Sequence, residues 1–174
     1  FRASETSIIY ASNKSMIAKL KGDKDSYYLT FDEIPQSVKD AMVVTEDRDF
    51  YKHEGVNFLS TAKAAVMLVE SKLRHQDISR GGSTITQQLA KNVFLSNERS
   101  YERKVREIFI ALELEKKYTK DQILEFYINN IYFANGYYGI EAASKGYFNK
   151  SAKDLDLAEA AFLCSIPNRP SLYN

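Results

Sequence analysis

Acidic, basic and aromatic side chains are concentrated in residues 46–55 (EDRDFYKHEG), directly after an apolar stretch. The acids do not follow the spacing of a calcium loop, and the two histidines, His53 and His75, are too far apart in sequence to indicate a zinc site. Acid–base catalysis by a carboxylate is therefore the chemistry that this segment favours. A helix end followed by a loop would explain the same residues without any chemistry.

A second candidate site is the pair Gly81 and Gly82, which precedes Ser83, Thr84 and a helix signal. Free backbone N–H groups and the helix dipole attract anions at such a place. The GxxxxGK[ST] spacing of a nucleotide-binding loop is absent. A diphosphate site and a purely structural turn are the two interpretations that this segment leaves open.

Positive charge collects beside this loop, since six basic residues oppose two acidic ones between positions 80 and 106. On a helix, Glu107 lies one turn from both Arg103 and Lys104. A solvated, salt-bridged helix face would explain the pattern, but the neighbouring glycines favour an anion site. A carboxylate beside two cations is a poor proton acceptor, whereas Glu46 is less crowded by positive charge and suits the role of base.

These candidate residues must be positioned mainly by helices. Apolar residues at spacings of three and four predict helices after Pro35 and Thr84 and over about 57–73, 99–117, 120–133, 138–147 and 156–165. Val93 and Val105 are among the residues expected to face inward. The first helix delivers Glu46 at its end, so both candidate sites lie at helix termini.

The first thirty residues differ from the rest, because short apolar runs at 7–10, 15–20 and 27–29 are separated by turn residues. We expect a β-rich N-terminal arm or linker over 1–30 and a mostly α-helical domain over 31–174. Cys164 lies in an apolar run, so it is expected to be a buried thiol rather than a nucleophile.

The composition excludes several classes of protein. The chain has 174 residues, of which 44% are hydrophobic, enough for one sizeable core. Its net charge of +1 gives no support for nucleic-acid binding by bulk charge. No stretch approaches the roughly 18 apolar residues that span a bilayer. Because the sequence begins with Phe1, we expect a piece of a longer protein.

Five segments, in this order, resemble the motifs of the peptidoglycan glycosyltransferase family. They are 46–55 (EDRDFYKHEG), 81–88 (GGSTITQQ), 103–107 (RKVRE), 123–129 (ILEFYIN) and 139–143 (GIEAA). The family includes the N-terminal halves of bifunctional penicillin-binding proteins and monofunctional membrane-anchored enzymes. The resemblance implies a lysozyme-like helical fold with a small membrane-associating jaw, at about 57–82. It also implies polymerisation of lipid II with release of undecaprenyl diphosphate and inversion at the anomeric carbon.

The resemblance implies roles for individual residues as well. Glu46 matches the general base and Glu107 the second catalytic carboxylate. Substrate and diphosphate contacts fall on Asp47, Ser83, Gln87, Gln88, Lys91, Asn92, Arg99, Arg103 and Lys104. Asn135 stands where many relatives are expected to have an arginine, so acceptor contacts are not carried over to that position.

The partners that the resemblance implies are lipid II, the growing glycan strand and the membrane interface. The expected location is the outer face of the bacterial cytoplasmic membrane, with a transmembrane anchor outside this sequence. A transpeptidase domain could follow Asn174. No cofactor is obligatory, but a divalent cation, Mg²⁺ or Mn²⁺, could bind at the diphosphate with Glu107 as a candidate ligand.

Two alternatives belong to other functional classes. A lysozyme-like glycan hydrolase also uses two carboxylates on a helical fold. The basic cluster argues against it, because hydrolysis of a neutral glycosidic bond leaves no diphosphate to stabilise. The other alternative is a non-catalytic module that binds membrane or cell wall.

Residues 57–81 carry more apolar side chains than one buried helix face requires, and we predict that part of this segment lies in the lipid interface. Ordinary core packing is the alternative explanation of the same residues. Replacing Met67, Leu68 and Leu73 together by polar residues should then reduce liposome binding several-fold in a flotation assay, because the variant loses apolar area that enters the lipid. Unchanged flotation of a variant with an intact circular dichroism spectrum would contradict this prediction.

Overall fold

The structure, a computed structural model, describes residues 7–10, 16–20, 27–57, 82–95 and 101–168. The predicted jaw at about 57–82 and the membrane-binding segment within it therefore lie almost wholly outside the described residues. The boundary between an arm over 1–30 and a domain over 31–174 stays a prediction.

The described residues form one small antiparallel sheet and a set of helices. The sheet pairs strands β1 (Ser7–Tyr10) and β2 (Met16–Leu20). The helices are α1 (Gln36–Glu46), α2 (Ile85–Phe94), α3 (Tyr101–Lys117), α4 (Lys120–Asn130), α5 (Ile140–Phe148) and α6 (Leu157–Ser165). Short 3-10 turns occupy Phe31–Glu33, Ala152–Asp154 and Ile166–Asn168. The predicted mostly α-helical class is confirmed.

Capping boxes explain where several helices begin. Thr84, Thr119 and Asp156 each accept a hydrogen bond from the backbone N–H three residues later, and the side chain of that later residue bonds back. This exchange satisfies two backbone donors that a helix start otherwise leaves unpaired. A further capping box at Thr30 caps a 3-10 turn, and α1 begins one residue after Pro35.

Helix α4 forms the centre of the core. Its side chains at Ile123, Leu124, Tyr127 and Ile128 are fully buried. A helix with apolar residues nearly all the way round is expected at the centre of a core. Helix α2 packs against both α3 and α4, while α1 packs against α6. The C-terminal end of α1 and the N-terminal end of α2 are therefore held by elements of one core.

The inward-facing positions predicted for two valines are wrong. Val93 is 38% exposed and Val105 is 53% exposed. On α3 the buried side includes Glu107, Ala111 and Leu114, at spacings of four and three. Side chains two positions apart on a helix point in directions that differ by about 200°. Burial of Glu107 therefore places Val105 on the opposite side, toward solvent.

The segment at 27–30 is not a strand, contrary to the expectation. The backbone N–H of Leu29 donates to Asn129 Oδ1 at 2.8 Å, and Asn129 Nδ2 donates to the Leu29 carbonyl at 2.8 Å. A side-chain amide on α4 thus satisfies the backbone groups that a neighbouring strand would have paired. These two bonds fix the segment against the centre of the core.

Gly139 should be far less tolerant of substitution than Gly136, although both have a positive φ, of 82° and 79°. A Cβ at Gly139 would lie 2.6 Å from the carbonyl oxygen of Asn129, whereas a Cβ at Gly136 would meet nothing within 4 Å. We predict that Gly139→Ala lowers the free energy of unfolding by about 3 kcal/mol and Gly136→Ala by about 1 kcal/mol. Urea denaturation measures both, and equal losses would contradict the role of the close approach.

Candidate active site

Glu46 is the last residue of α1, and its side chain lines a cavity of about 250 Å³. Its Oε2 accepts a hydrogen bond from Gln88 Nε2 at 2.9 Å. Its Oε1 is buried and has no hydrogen-bond partner in the part of the chain that the structure describes. Gln88 therefore holds one carboxylate oxygen, and the other keeps an acceptor capacity that the described residues leave unused.

The surroundings of Glu46 make it a stronger base than a free glutamate. Burial raises the pKa of Glu46, the hydrogen bond from Gln88 partly offsets this, and the neighbouring charge of Asp47 raises the pKa again. A carboxylate with a raised pKa accepts a proton more readily when it is ionised.

The cavity beside Glu46 has a largely polar and charged wall. Its lining residues are Glu46, Asp47, Arg48, Asp49, Asn57, Gly82, Ser83 and Thr84. The first five lie in the segment that begins at the end of α1, and the last three lead into α2. The two segments that the sequence singled out for chemistry therefore meet at one cavity.

Asp47 joins these two segments. Its Oδ2 accepts hydrogen bonds from His53 Nε2 at 2.8 Å and from the backbone N–H of Ile85 at 3.1 Å. The N–H of Gly55 donates to His53 Nδ1 at 3.1 Å, so the ring carries its proton on Nε2. Ile85 is the first residue of α2, where the helix dipole stabilises a negative charge. The buried carboxylate of Asp47 is thus satisfied by the fold itself.

Thr84 and Gln87 complete the junction. Thr84 Oγ1 donates to the carbonyl of Gly55 at 2.6 Å, and Gln87 Oε1 accepts from the Thr84 N–H at 3.1 Å. Gln87 is fully buried. The substrate contacts predicted for Asp47 and Gln87 stay predictions, because the contacts that the structure gives these side chains are internal.

A basic cluster lies on the other side of Ser83. Lys104 Nζ donates to Ser83 Oγ at 2.9 Å and also to Glu107 Oε1. Arg103 Nη1 lies 3.7 Å from Glu107 Oε2. Glu107 is only 2% exposed, and pairing with two cations offsets the cost of burying its charge. Since Ser83 also lines the cavity, Lys104 connects Glu107 to the same cavity as Glu46.

The remaining predicted contacts are not gathered at this point. Lys91 and Asn92 lie on the exposed side of α2, and Arg99 lies outside the described residues. Asn135 Nδ2 donates to Tyr147 Oη at 3.1 Å. The structure therefore places Glu46, Asp47 and Ser83 in the wall of one cavity. Gln88 is bonded to Glu46, and Lys104 links Ser83 to Glu107, which also lies beside Arg103.

Sequence reasoning missed one residue at this site, Tyr127. Its hydroxyl donates to Gln88 Oε1 at 2.9 Å, on the opposite end of the amide from Glu46. Tyr127 is fully buried in the core, and apolar spacing gives no sign of where a buried hydroxyl group points. Its place within the motif at 123–129 was the available signal.

Cys164 is a buried free thiol, as the sequence predicted. Burial raises the pKa of Cys164 to about 12, and the charge of Glu46 adds to this effect. The thiol is therefore protonated at neutral pH and unsuited to nucleophilic attack.

The described residues contain no group of three or more His, Cys, Asp or Glu side chains that could hold a metal ion. Both oxygens of Glu107 already lie against cationic side chains. These residues do not fit a metal site made by the protein alone. The divalent cation expected at the diphosphate stays a prediction, and no step below depends on it.

Comparisons with known proteins give a consistent result. A family model described as transglycosylase matches residues 13–174. Penicillin-binding protein 4 of Bacillus subtilis is 43% identical over 171 residues, which cover 98% of this chain and 27% of that protein. Penicillin-binding protein 1A of Pseudomonas aeruginosa is 45% identical over 166 residues, covering 95% and 20%. Penicillin-binding protein 2a of Streptococcus pneumoniae is 44% identical over 167 residues, covering 96% and 22%. The chain thus spans about a quarter or less of the length of these relatives.

Asp47→Asn should destabilise the fold, because an amide cannot accept both hydrogen bonds with the strength of a carboxylate. We predict that it lowers the free energy of unfolding by about 2 kcal/mol. The matched control is Glu113→Gln, which removes an exposed ion pair with Lys116 and should cost less than about 1 kcal/mol. Urea denaturation measures both variants, and an equal loss in the two would show that Asp47 does not join the segments.

Proposed function

Because the chain belongs to the peptidoglycan glycosyltransferase family, a family of enzymes, we propose that it polymerises lipid II into β-1,4-linked glycan strands with release of undecaprenyl diphosphate. The observation that supports this proposal is the contrast between the surroundings of two carboxylates, Glu46 and Glu107, that are linked to one cavity. Glu46 has an oxygen for which the described residues supply no partner, whereas Glu107 is paired with Lys104 and Arg103. One carboxylate suits proton transfer and the other suits the organisation of positive charge.

Glu46 is the base in this proposal. Its Oε1 takes the proton of the 4-hydroxyl group of the acceptor sugar as the hydroxyl oxygen forms a bond to the anomeric carbon of the donor. The bond between that carbon and the diphosphate oxygen breaks at the same time. Because the α-linked donor is attacked from the face opposite the diphosphate, the product has the β configuration. Burial, which raises the pKa of Glu46, supports this role.

Lys104 and Arg103 stabilise the departing diphosphate. Negative charge grows on the diphosphate oxygens as the bond breaks, and charge-assisted hydrogen bonds from an ammonium and a guanidinium group oppose it. Glu107 holds both cations within one turn of α3 before substrate arrives. Ser83, which accepts a hydrogen bond from Lys104, places this charge at the cavity wall.

The other predicted contacts extend the site along α2. Lys91 and Asn92 lie one helical turn beyond Gln87 and Gln88 and are exposed, so they can contact the donor. We assign Arg99 to the diphosphate as well, on the basis of the motif alone. Asp47 and Gln87 hold the loops of the site in place, and the substrate contacts assigned to them rest on the motifs alone.

The partners and location proposed for the whole protein follow from its family. We propose that it works on lipid II and a growing glycan strand at the outer face of the bacterial cytoplasmic membrane, with an anchor and a transpeptidase domain outside this sequence. The three relatives are named penicillin-binding proteins. Among the described helices, none has the length and apolar character needed to cross a bilayer.

A lysozyme-like glycan hydrolase is the second candidate, because two carboxylates on a helical fold suit that reaction too. The two cations around Glu107 favour the transferase, since only the transferase releases a diphosphate. Product analysis separates the candidates: the transferase converts lipid II into polymer, whereas the hydrolase shortens an added glycan polymer.

Replacement of each glutamate by glutamine tests the division of roles. Glu46→Gln removes the base but keeps the shape, so polymerisation should fall by at least about a hundredfold while lipid II binding changes little. Glu107→Gln should weaken binding as well as rate, because the two cations lose the charge that holds them. Polymer yield on gels and binding to immobilised lipid II measure the two effects.

The control for both variants is Glu113→Gln, which alters an exposed ion pair with Lys116 and should leave rate and binding unchanged. Substantial polymerisation by Glu46→Gln would contradict its role as base. Glycan cleavage without polymer formation by the unmodified protein would favour the hydrolase.

A further inference from the structure

Three side chains from three helices form a continuous hydrogen-bonded chain that ends at the proposed base. The Tyr127 hydroxyl on α4 donates to Gln88 Oε1 on α2 at 2.9 Å. Gln88 Nε2 then donates to Glu46 Oε2 on α1 at 2.9 Å. Tyr127 is fully buried at the centre of the core, while Glu46 lines the cavity. The chain of bonds therefore runs from the core to the site.

The direction of these bonds is set by Tyr127. A phenol has one hydrogen to donate, and a buried hydroxyl needs an acceptor for it. Burial raises the pKa of Tyr127 well above its usual value, and the nearby charge of Glu46 adds to this, so the hydroxyl stays protonated. The oxygen end of the Gln88 amide must face this donor, which leaves the NH₂ end for Glu46.

We propose that Tyr127 is a positioning residue for Glu46, because its hydroxyl fixes the Gln88 amide with the NH₂ group toward the carboxylate. The proposal rests on the role of Glu46 as the base in the function proposed above. Tyr127 does not touch substrate and acts through Gln88.

The orientation of the amide decides which form of Glu46 is favoured. An NH₂ group facing Glu46 Oε2 stabilises the ionised carboxylate, which is the form that can take a proton. A carbonyl oxygen facing it would instead stabilise the protonated acid by accepting its hydrogen. Without the Tyr127 hydroxyl the Gln88 amide can turn, and Glu46 would hold its proton to a higher pH.

The other groups that face Glu46 do not replace this interaction. Asp47 is its neighbour in the chain and raises the pKa of Glu46. Burial, and after it the charge of Glu46, raises the pKa of Tyr127 on α4 and of Cys164 on α6, so both of these groups are protonated and neutral at neutral pH. Arg48 lines the same cavity, and its Nε donates to the carbonyl of Val44. The Gln88 amide is therefore a main source of stabilisation for the ionised form.

Tyr127→Phe tests the proposal, since it removes one oxygen and keeps the ring in the core. The acid limb of the pH dependence of lipid II polymerisation should move to higher pH by about one pH unit. At pH values below that limb the variant should polymerise more slowly than the unmodified protein. At pH values well above it the rate should recover, because Glu46 is ionised there. The ¹³C signal of the Glu46 carboxyl group, assigned with Glu46→Gln, should titrate over the same higher range.

Two further variants separate positioning from general loss of stability. Tyr147→Phe is the matched control, because its hydroxyl donates to the carbonyl of Phe133 at 2.9 Å and has no part in the chain to Glu46. It should leave the acid limb in place. In a Gln88→Ala background, Tyr127→Phe should cause no additional change in the pKa of Glu46, because its effect passes through the amide.

Neutron diffraction from the unmodified protein supplies a test that needs no variant to fold. It should place the Tyr127 hydroxyl deuterium between Tyr127 Oη and Gln88 Oε1, and a deuterium directed elsewhere would overturn the proposal. An acid limb and a Glu46 titration unchanged by Tyr127→Phe would overturn it too. Failure of the unmodified protein to polymerise lipid II would instead reject the proposed function, while the carboxyl titration would still decide the role of Tyr127.

Discussion

The buried carboxylate of Asp47 accepts hydrogen bonds from His53 and from the first N–H of α2, and the geometry of the site depends on this junction. A buried charge without partners would cost several kcal/mol. Here the imidazole and the helix terminus satisfy it. The end of α1 is thereby fixed beside the start of α2, which brings Glu46 within reach of Gln88 and places Ser83 in the same cavity wall.

Two residues of the same type differ in chemistry because their surroundings differ. Glu46 is buried next to an amide and an acid, so its pKa rises. Glu107 is buried between Lys104 and Arg103, whose positive charges compensate its own. Joining a sugar hydroxyl to a carbon that carries a diphosphate needs both environments, one to take a proton and one to organise positive charge. Glu46 at the end of α1 supplies the first environment, and the cluster of Arg103, Lys104 and Glu107 on α3 supplies the second.

Local spacing was enough to predict the features that depend on a few adjacent residues. The capping boxes at Thr84 and Thr119 follow from the residue three positions later, and the pairing of Glu107 with two cations follows from helix geometry. The motifs also marked both sides of the cavity. The confirmed family followed from the order of the motifs along the chain, and the helical class from apolar residues at spacings of three and four.

Features that depend on distant residues or on a polar group in the core escaped prediction. The bonds between Leu29 and Asn129 join residues 100 positions apart, so no local pattern could show that 27–30 is not a strand. Apolar spacing placed Val105 inside because a pattern of apolar residues takes no account of a buried, paired glutamate such as Glu107. The bond from Tyr127 to Gln88 escaped for the same reason, since periodicity locates a ring in the core but not its hydroxyl group.

The most direct test of the account is a crystal structure of Glu46→Gln with a lipid II analogue and a glycan acceptor bound. The account predicts the acceptor 4-hydroxyl within hydrogen-bonding distance, about 3 Å, of the carboxamide at position 46. It places the diphosphate against Lys104 and Arg103. The opposite arrangement, with the diphosphate beside position 46 and the acceptor hydroxyl beside Glu107, would contradict the division of roles between the two glutamates.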